Sequence, residues 1–236
     1  MPNTSPVILI LGAGSNIGHH VARAFAAKGY KVALAARRLK EADNNADQIN
    51  IPSDLSDPSS VVNAFSKVKS LLGVPSVVIY NGEDCYQEFR RISAKVFEAG
   101  AVTANDPKNP LSLPLADFTR DLNINTTSAF VAAQQAVLAF EQLPESASRT
   151  FIYTGNILNT TTLAPLLDLG VGKSATAHII QSAAAAYKDR GFKYVILSRV
   201  LLAKKLTSAG STMVTSGRPM GPRNSASTEK PMGNYM

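Results

Sequence analysis

Val7-Ile8-Leu9-Ile10-Leu11-Gly12-Ala13-Gly14-Ser15-Asn16-Ile17-Gly18 is the stretch whose reading decides the fold. An apolar run ends in three closely spaced glycines, and His19 to Lys28 then reads as a helix. This is how a nucleotide-binding α/β domain begins. Gly12 lets the chain turn sharply out of a strand, Gly14 lets the backbone approach a pyrophosphate, and Gly18 lets the helix pack closely on the sheet. The free N–H groups of the first helical turn and the positive end of its dipole complete an anion site. A plain tight turn also uses glycine, so the triplet takes its meaning from the strand before it and the helix after it.

Downstream, the same rhythm repeats. Tyr30–Ala36 reads as a second strand, Val61–Leu72 as a helix with one apolar face, and Pro75–Tyr80 as a buried strand ending in Asn81-Gly82. Phe118–Glu141 reads as one long alanine-rich helix, Thr150–Thr154 as a strand, Gly172–Arg190 as another helix, and Tyr194–Leu197 as a last strand. Strands alternating with helices predict a doubly wound parallel α/β sheet, the Rossmann fold, covered on both faces. Residues 1–198 form this domain. Two regions break the rhythm: a charged, atypical insertion at 83–100, and a basic, low-complexity tail at 199–236 read as disordered.

Composition narrows the function classes. The net charge is +7, but the tail from Arg199 onward carries +5 of it, leaving +2 for the first 198 residues. No interleaving of aromatic and basic residues accompanies that charge, so nucleic acid is not an expected partner. No apolar run approaches the roughly 18–20 residues of a membrane span, so no membrane partner is expected either. Met1–Pro6 lacks a basic leader and Cys85 is the single cysteine, which together read as a cytoplasmic protein. His19, His20 and His178 are the only histidines, and no cluster has metal-ligand spacing, so no metal is expected.

Beyond the second strand come Arg37 and Arg38, where an acidic residue would instead accept hydrogen bonds from an adenosine ribose. Arginine there pairs with a 2′-phosphate, which predicts NADP as the cofactor. Ordinary surface arginines are the competing reading.

With these residues in place the chain resembles a short-chain dehydrogenase/reductase of fungal type over roughly residues 7–198. That family opens with Thr-Gly-x-x-x-Gly-x-Gly; here Leu11 stands at the threonine, Asn16 at the middle glycine, and Gly14 is extra. Asparagine tolerates a left-handed backbone better than most residues, so the loop remains usable. The resemblance implies that Asp54 holds the adenine amino group and that Asn81-Gly82 begins the segment shaping the central strand's end. It implies that Asn125 helps hold a water chain to the active-site lysine. It makes Lys173 that lysine, which binds the nicotinamide ribose and lowers the pKa of a catalytic tyrosine. The candidate cofactor-binding residues are therefore Gly12, Gly14, Ser15, Asn16, Ile17, Gly18, Arg37, Asp54, Asn81 and Lys173, and the candidate catalytic residues are Lys173 and Asn125.

Set against the family pattern, the catalytic tetrad is degenerate. The tyrosine's position, four residues before the lysine, is Leu169, and the catalytic serine's position aligns with Gly155. Loss of a positioned acid is worth roughly 10²–10⁴ in rate. Lys173, Tyr153, Asp168 or a water held by Asn125 remain as proton donors, with Thr154 or Asn156 as neighbouring hydrogen-bonding groups. After Leu197 neither the family's Pro-Gly turn nor its final C-terminal strand is found. Without this charged piece, Asn81 would stand directly before Gly100-Ala101 or a similar small-residue join, closer to the family's loop. The resemblance implies an NADP-dependent oxidoreductase acting on a small carbonyl or alcohol. A catalytically silent NADP-binding protein or scaffold, and a non-redox use of the pocket such as isomerisation, are the alternatives. A homodimer or homotetramer would pack the two long helices through Ala129, Ala132, Ala133, Ala183 and Ala184.

Overall fold

The structure, a computed structural model, describes residues 5–14, 17–82, 84–85, 101–103 and 105–198. Ser15 and Asn16, nearly all of the 83–100 insertion and the whole 199–236 tail lie outside the described residues. The elements run β1 (Val7–Leu11), α1 (Ile17–Ala26), β2 (Lys31–Ala36), β3 (Gln48–Pro52), α2 (Pro58–Leu71) and β4 (Pro75–Tyr80). Two-residue strands follow, β5 (Asp84–Cys85) and β6 (Ala101–Val102), then α3 (Leu115–Leu122), α4 (Ser128–Phe140), β7 (Thr150–Gly155), α5 (Leu167–Ala186) and β8 (Lys193–Ser198).

Six strands form one sheet in the order β3-β2-β1-β4-β7-β8, and every pairing is parallel. The strand order reverses direction at β1, which opens a crevice at the carboxyl ends of β1 and β4 where ligands of such sheets bind. All five residues of β1 are buried because helices cover both faces. Val7, Leu9 and Leu11 point one way, into a core with Val61, Ala64, Phe65 and Val68 of α2 and the alanines of α4. Ile8 and Ile10 point the other way and meet Val32, Leu34, Val77, Ile79 and Ala22 of α1. This is the period-two alternation of a strand, with both faces apolar.

Local chemistry sets the helix ends. Asp57 caps α2 by accepting a hydrogen bond from the Ser59 N–H at 2.9 Å, with Pro58 at the first helical position, where its missing N–H costs nothing. The expected strands and helices of the main sheet are present, with three differences. Gln48–Pro52 is an additional edge strand: Ile49 and Ile51 are buried in the α2 core, but Gln48, Asn50 and a terminal proline disguise the segment as a loop. The long helix expected at Phe118–Glu141 is two helices joined by a π-helical turn at Asn123–Thr127.

The helix expected from Gly172 to Arg190 starts earlier, at Leu167, and stops at Ala186. Gly172 is a close-approach residue rather than a helix boundary: a Cβ there would lie 2.4 Å from the Cβ of Asn125. The alanines assigned to subunit packing line or border the chain's own core. Ala129, Ala132 and Ala133 are buried inside the chain, and Ala183 and Ala184 pack against the same core. Small side chains here let α4 and α5 approach the sheet. Among the described residues β8 is the last strand, and no helix is long and apolar enough to cross a membrane.

Phe140 closes α4 in a fully buried aromatic cluster, its ring 5.6 Å from that of Phe192 and 6.4 Å from that of Tyr194. Phe140→Ala is expected to cost about 3–5 kcal/mol, read as a lowered urea midpoint with an unchanged slope.

Candidate active site

The carboxyl edge of the sheet gathers most of the residues singled out in the sequence. Gly12 has φ +79°, a left-handed backbone that a side chain would strain, and a Cβ there would sit 1.8 Å from the carbonyl oxygen of Asn81. The N–H groups of Gly12 and Ala13 both donate to the carbonyl of Ala35, at 2.9 and 3.1 Å, folding the glycine turn over the end of β2. Gly18 is buried where a Cβ would come within 2.6 Å of the Cα of Ala13, so its role in tight packing is visible directly. Ile17 begins α1 and Gly14 accepts a hydrogen bond from the His19 N–H at 3.1 Å.

Arg37 follows β2 and Asp54 follows β3, both exposed at the same edge. The N–H of Ser53 donates to the Ala36 carbonyl at 3.2 Å, so the two strand ends are tied together. One Asp54 carboxylate oxygen accepts the Ser56 N–H at 2.9 Å, which fixes the loop. Asn81 is fully buried. Its backbone N–H donates to the Leu11 carbonyl at 2.8 Å and its amide nitrogen to the Gly12 carbonyl at 2.9 Å, while its Oδ1 is buried without a donor. A tight glycine turn, an exposed arginine and carboxylate, and an unsatisfied buried acceptor on one sheet edge fit a dinucleotide.

The second half of the site is built by α5 and the π turn. Lys173 is buried; its Nζ donates to the Thr154 carbonyl at 3.0 Å and lies 4.9 Å from the centre of the Tyr153 ring. Asn125 is brought beside α5 at Gly172, but its side chain is engaged. Its Oδ1 accepts the Ala101 N–H at 3.0 Å and its Nδ2 donates to the Ala101 carbonyl at 2.7 Å. The Asn125 carbonyl accepts the Thr176 hydroxyl at 2.6 Å.

Leu169 is buried in an apolar cluster with Val102, Leu158 and Leu166. At Gly155 a Cβ would lie 2.4 Å from the Asn159 amide and 2.7 Å from Ile196, so a serine would have to displace Asn159. The nearby hydroxyl and amide groups are committed elsewhere. Thr154 donates to the Tyr80 carbonyl at 3.0 Å, and Asn156 caps a short turn by accepting the Leu158 N–H at 2.9 Å. Tyr153 is buried, and burial pushes its phenol well above the ordinary tyrosine range.

Asp168 points away from Lys173, toward β6 and α3. Its Oδ2 accepts the Thr103 N–H at 2.7 Å. Burial, then a carboxyl–carboxyl hydrogen bond with Asp121, pushes its pKa up to about 7. The sequence did not single out Asp121, Thr103 or Arg120, because they lie 47 to 65 positions from Asp168 or in irregular backbone. His19 and His20 lie in the first turn of α1, and His178 is exposed on α5. Among the described residues no three His, Cys, Asp or Glu side chains group as a metal site.

A glycine turn at the strand reversal, with a buried lysine on α5 beside the end of β7, is the architecture of a nucleotide-binding α/β protein. The short chain dehydrogenase family model matches residues 6–195, and the chain belongs to the short-chain dehydrogenase/reductase family. It is 46% identical over 191 residues to the short chain dehydrogenase/reductase dmxR12 of Cryptosporiopsis sp. (strain 8999), covering 81% of this chain and 75% of that protein. Among solved structures it resembles a short-chain dehydrogenase/reductase from Mycobacterium marinum (23% identity, TM-score 0.64, covering 83% and 74% of the two chains). It also resembles a Brucella ovis oxidoreductase of this family in complex with a partially ordered NAD (17% identity, TM-score 0.61, covering 82% of each chain). At these identities the two structures speak to the fold alone.

Asn125→Ala would leave the Ala101 N–H and carbonyl without partners in a buried place, at about 1–3 kcal/mol for each group. Thermal unfolding checks this, and a melting temperature equal to that of the unaltered chain would refute it.

Proposed function

We propose that this chain binds NADP along the carboxyl edge of the sheet and passes hydride between the nicotinamide and a small carbonyl or alcohol substrate. The observation that carries the reading is the glycine turn lying directly on the end of β2, one residue before Arg37. Arg37 would pair with the 2′-phosphate, Asp54 with the adenine, and the first turn of α1, with Ile17 and the loop residues Ser15 and Asn16, with the pyrophosphate. When bound, the nicotinamide supplies or accepts the hydride. Lys173, fixed between the Thr154 carbonyl and the Tyr153 ring, contributes a positive charge near the ribose and the reacting oxygen. The proton comes from a donor other than a tyrosine at 169, with solvent or the Lys173 ammonium as the chemically available sources.

A second reading has its own support. Leu169 is apolar, Gly155 has no room for a side chain, and Thr154, Asn156 and Lys173 all have protein partners. Such a site suits a catalytically silent NADP-binding protein. Both readings share a cofactor and differ in turnover. Subunit association, if it uses α4 and α5, would use their outward residues Phe130, Leu138 and Val171, which are exposed.

Titration with NADPH and NADH is expected to show tighter NADPH binding, and Arg37→Ala should weaken NADPH by about 10–100-fold while sparing NADH, as loss of a charged hydrogen bond predicts. Equal affinities for the two cofactors would remove the 2′-phosphate assignment. Oxidation of bound NADPH by a panel of aldehydes and ketones separates enzyme from silent protein.

Leu169→Tyr must force a larger side chain into the Val102–Leu158–Leu166 cluster and is expected to cost about 1–3 kcal/mol. If only the acid is missing, the variant should also raise carbonyl reduction. A folded variant that binds NADPH and gains no rate would show that more than the acid has been lost.

A further inference from the structure

Beside the family's missing tyrosine lies a buried polar cluster that the proposed chemistry does not use. Asp168 on α5 and Asp121 on α3 are each 1% exposed. Thr103, the first residue after β6, joins them: its N–H donates to Asp168 Oδ2 at 2.7 Å and its hydroxyl to Asp121 Oδ2 at 2.7 Å. Arg120 donates to the Thr103 hydroxyl at 2.6 Å, to Asp121 Oδ1 at 2.9 Å and to Asp117 Oδ1 at 2.8 Å. Asp168 Oδ1 is buried with no N–H or O–H of the described residues donating to it.

Two carboxyl groups this close, out of water, do not both stay ionised; one proton between them converts repulsion into a hydrogen bond. Arg120 and the Thr103 hydroxyl donate to both oxygens of Asp121, whereas Asp168 Oδ1 has no donor, so a proton on Asp168 gives that orphaned oxygen a role. The charged groups facing Asp168 from α3 are Asp121 and, behind it, Arg120 with Asp117, while β6 offers it the Thr103 amide.

We propose that Asp168 and Asp121 form a proton-dependent latch that positions residues 101–103 against the N-terminal end of α5. Asn125 grips one end of this segment through Ala101, the latch grips the other through Thr103, and Leu169 packs on Val102 between them. With the shared proton present the segment is held. When the proton leaves, two adjacent buried carboxylates repel and the Thr103 end is released. Asp168 is thus a positioning residue whose neighbour, Leu169, closes an apolar seal where the family places its acid. The latch stands independently of any cofactor.

The sign of its linkage follows from the raised pKa. The folded chain holds a proton that the unfolded chain gives up at ordinary aspartate pH, so this pair's contribution is full below about pH 4 and is lost as pH rises to about 7.

Amide hydrogen exchange across residues 101–103 of the full chain, at about pH 6 and pH 8.5 and corrected for intrinsic rates, tests the latch. Protection should fall by about tenfold or more at the higher pH, the equivalent of one pKa unit. Asp168→Asn keeps an acceptor for the Thr103 N–H and gains a donor toward Asp121, so it should hold protection at both pH values. In the infrared spectrum, a protonated-carboxyl band should be present in the unaltered chain at pH 6 and absent from this variant. Asp121→Asn provides a second variant if the first fails to fold, and it too should flatten the pH response. Protection independent of pH in the unaltered chain, or an equally pH-sensitive Asp168→Asn or Asp121→Asn, would overturn the latch.

Discussion

The carboxyl edge of this sheet is organised by one buried amide. Asn81 directly follows β4, and its side chain reaches across to the Gly12 carbonyl while its backbone binds Leu11. That pair of hydrogen bonds fixes the end of β1 against the end of β4 at the point where the strand order reverses. Gly12 can lie there only because it has no Cβ, since the Asn81 carbonyl occupies that space. The glycine turn, the crevice and the start of α1 all follow from this contact. A side chain at position 12 would push apart the paired ends of β1 and β4 at that edge.

The fold was legible where periodicity and punctuation agree. β1 and β4 are continuous apolar runs bounded by Gly12 and by Asn81-Gly82, and each is found where its sequence says. Legibility failed where one signal had two physical meanings. Gly172 reads as the start of a helix, yet α5 runs through it from Leu167 and there approaches Asn125 within a distance that excludes a side chain. The alanines of α4 suit close packing against any partner, and sequence cannot say whether the partner is the chain's own sheet or a second subunit. β3 was hidden because an edge strand needs only Ile49 and Ile51 to bury one face.

The site was legible in outline and less so in its commitments. Residue types at the ends of β1 to β4 and on α5 pointed to one edge of the molecule, and the fold gathers them there. They did not reveal that Asn125 spends its amide on Ala101, that Lys173 is occupied by Thr154, or that Asp168 faces α3. Those facts depend on side-chain direction and on partners distant in sequence. Leu169 is the clearest instance. A departure from a motif reads as something missing, whereas in the folded chain the leucine fills a cluster and shares its turn of helix with a carboxyl bound to the backbone of residue 103.

The π turn at Asn123–Thr127 has a geometric consequence that reaches both ends of this region. A π turn inserts one residue into the helical repeat, and each residue of an α-helix advances the face by about 100°. The winding therefore slips between α3 and α4. Before the slip, α3 places Arg120 and Asp121 against Thr103; after it, α4 turns Ala129, Ala132 and Ala136 onto the core. The Ile124 carbonyl, inside the turn, accepts the Tyr80 hydroxyl and anchors the slip to β4. Two surfaces with different tasks thus share one nearly continuous rod, and their phase difference is set by a single extra residue.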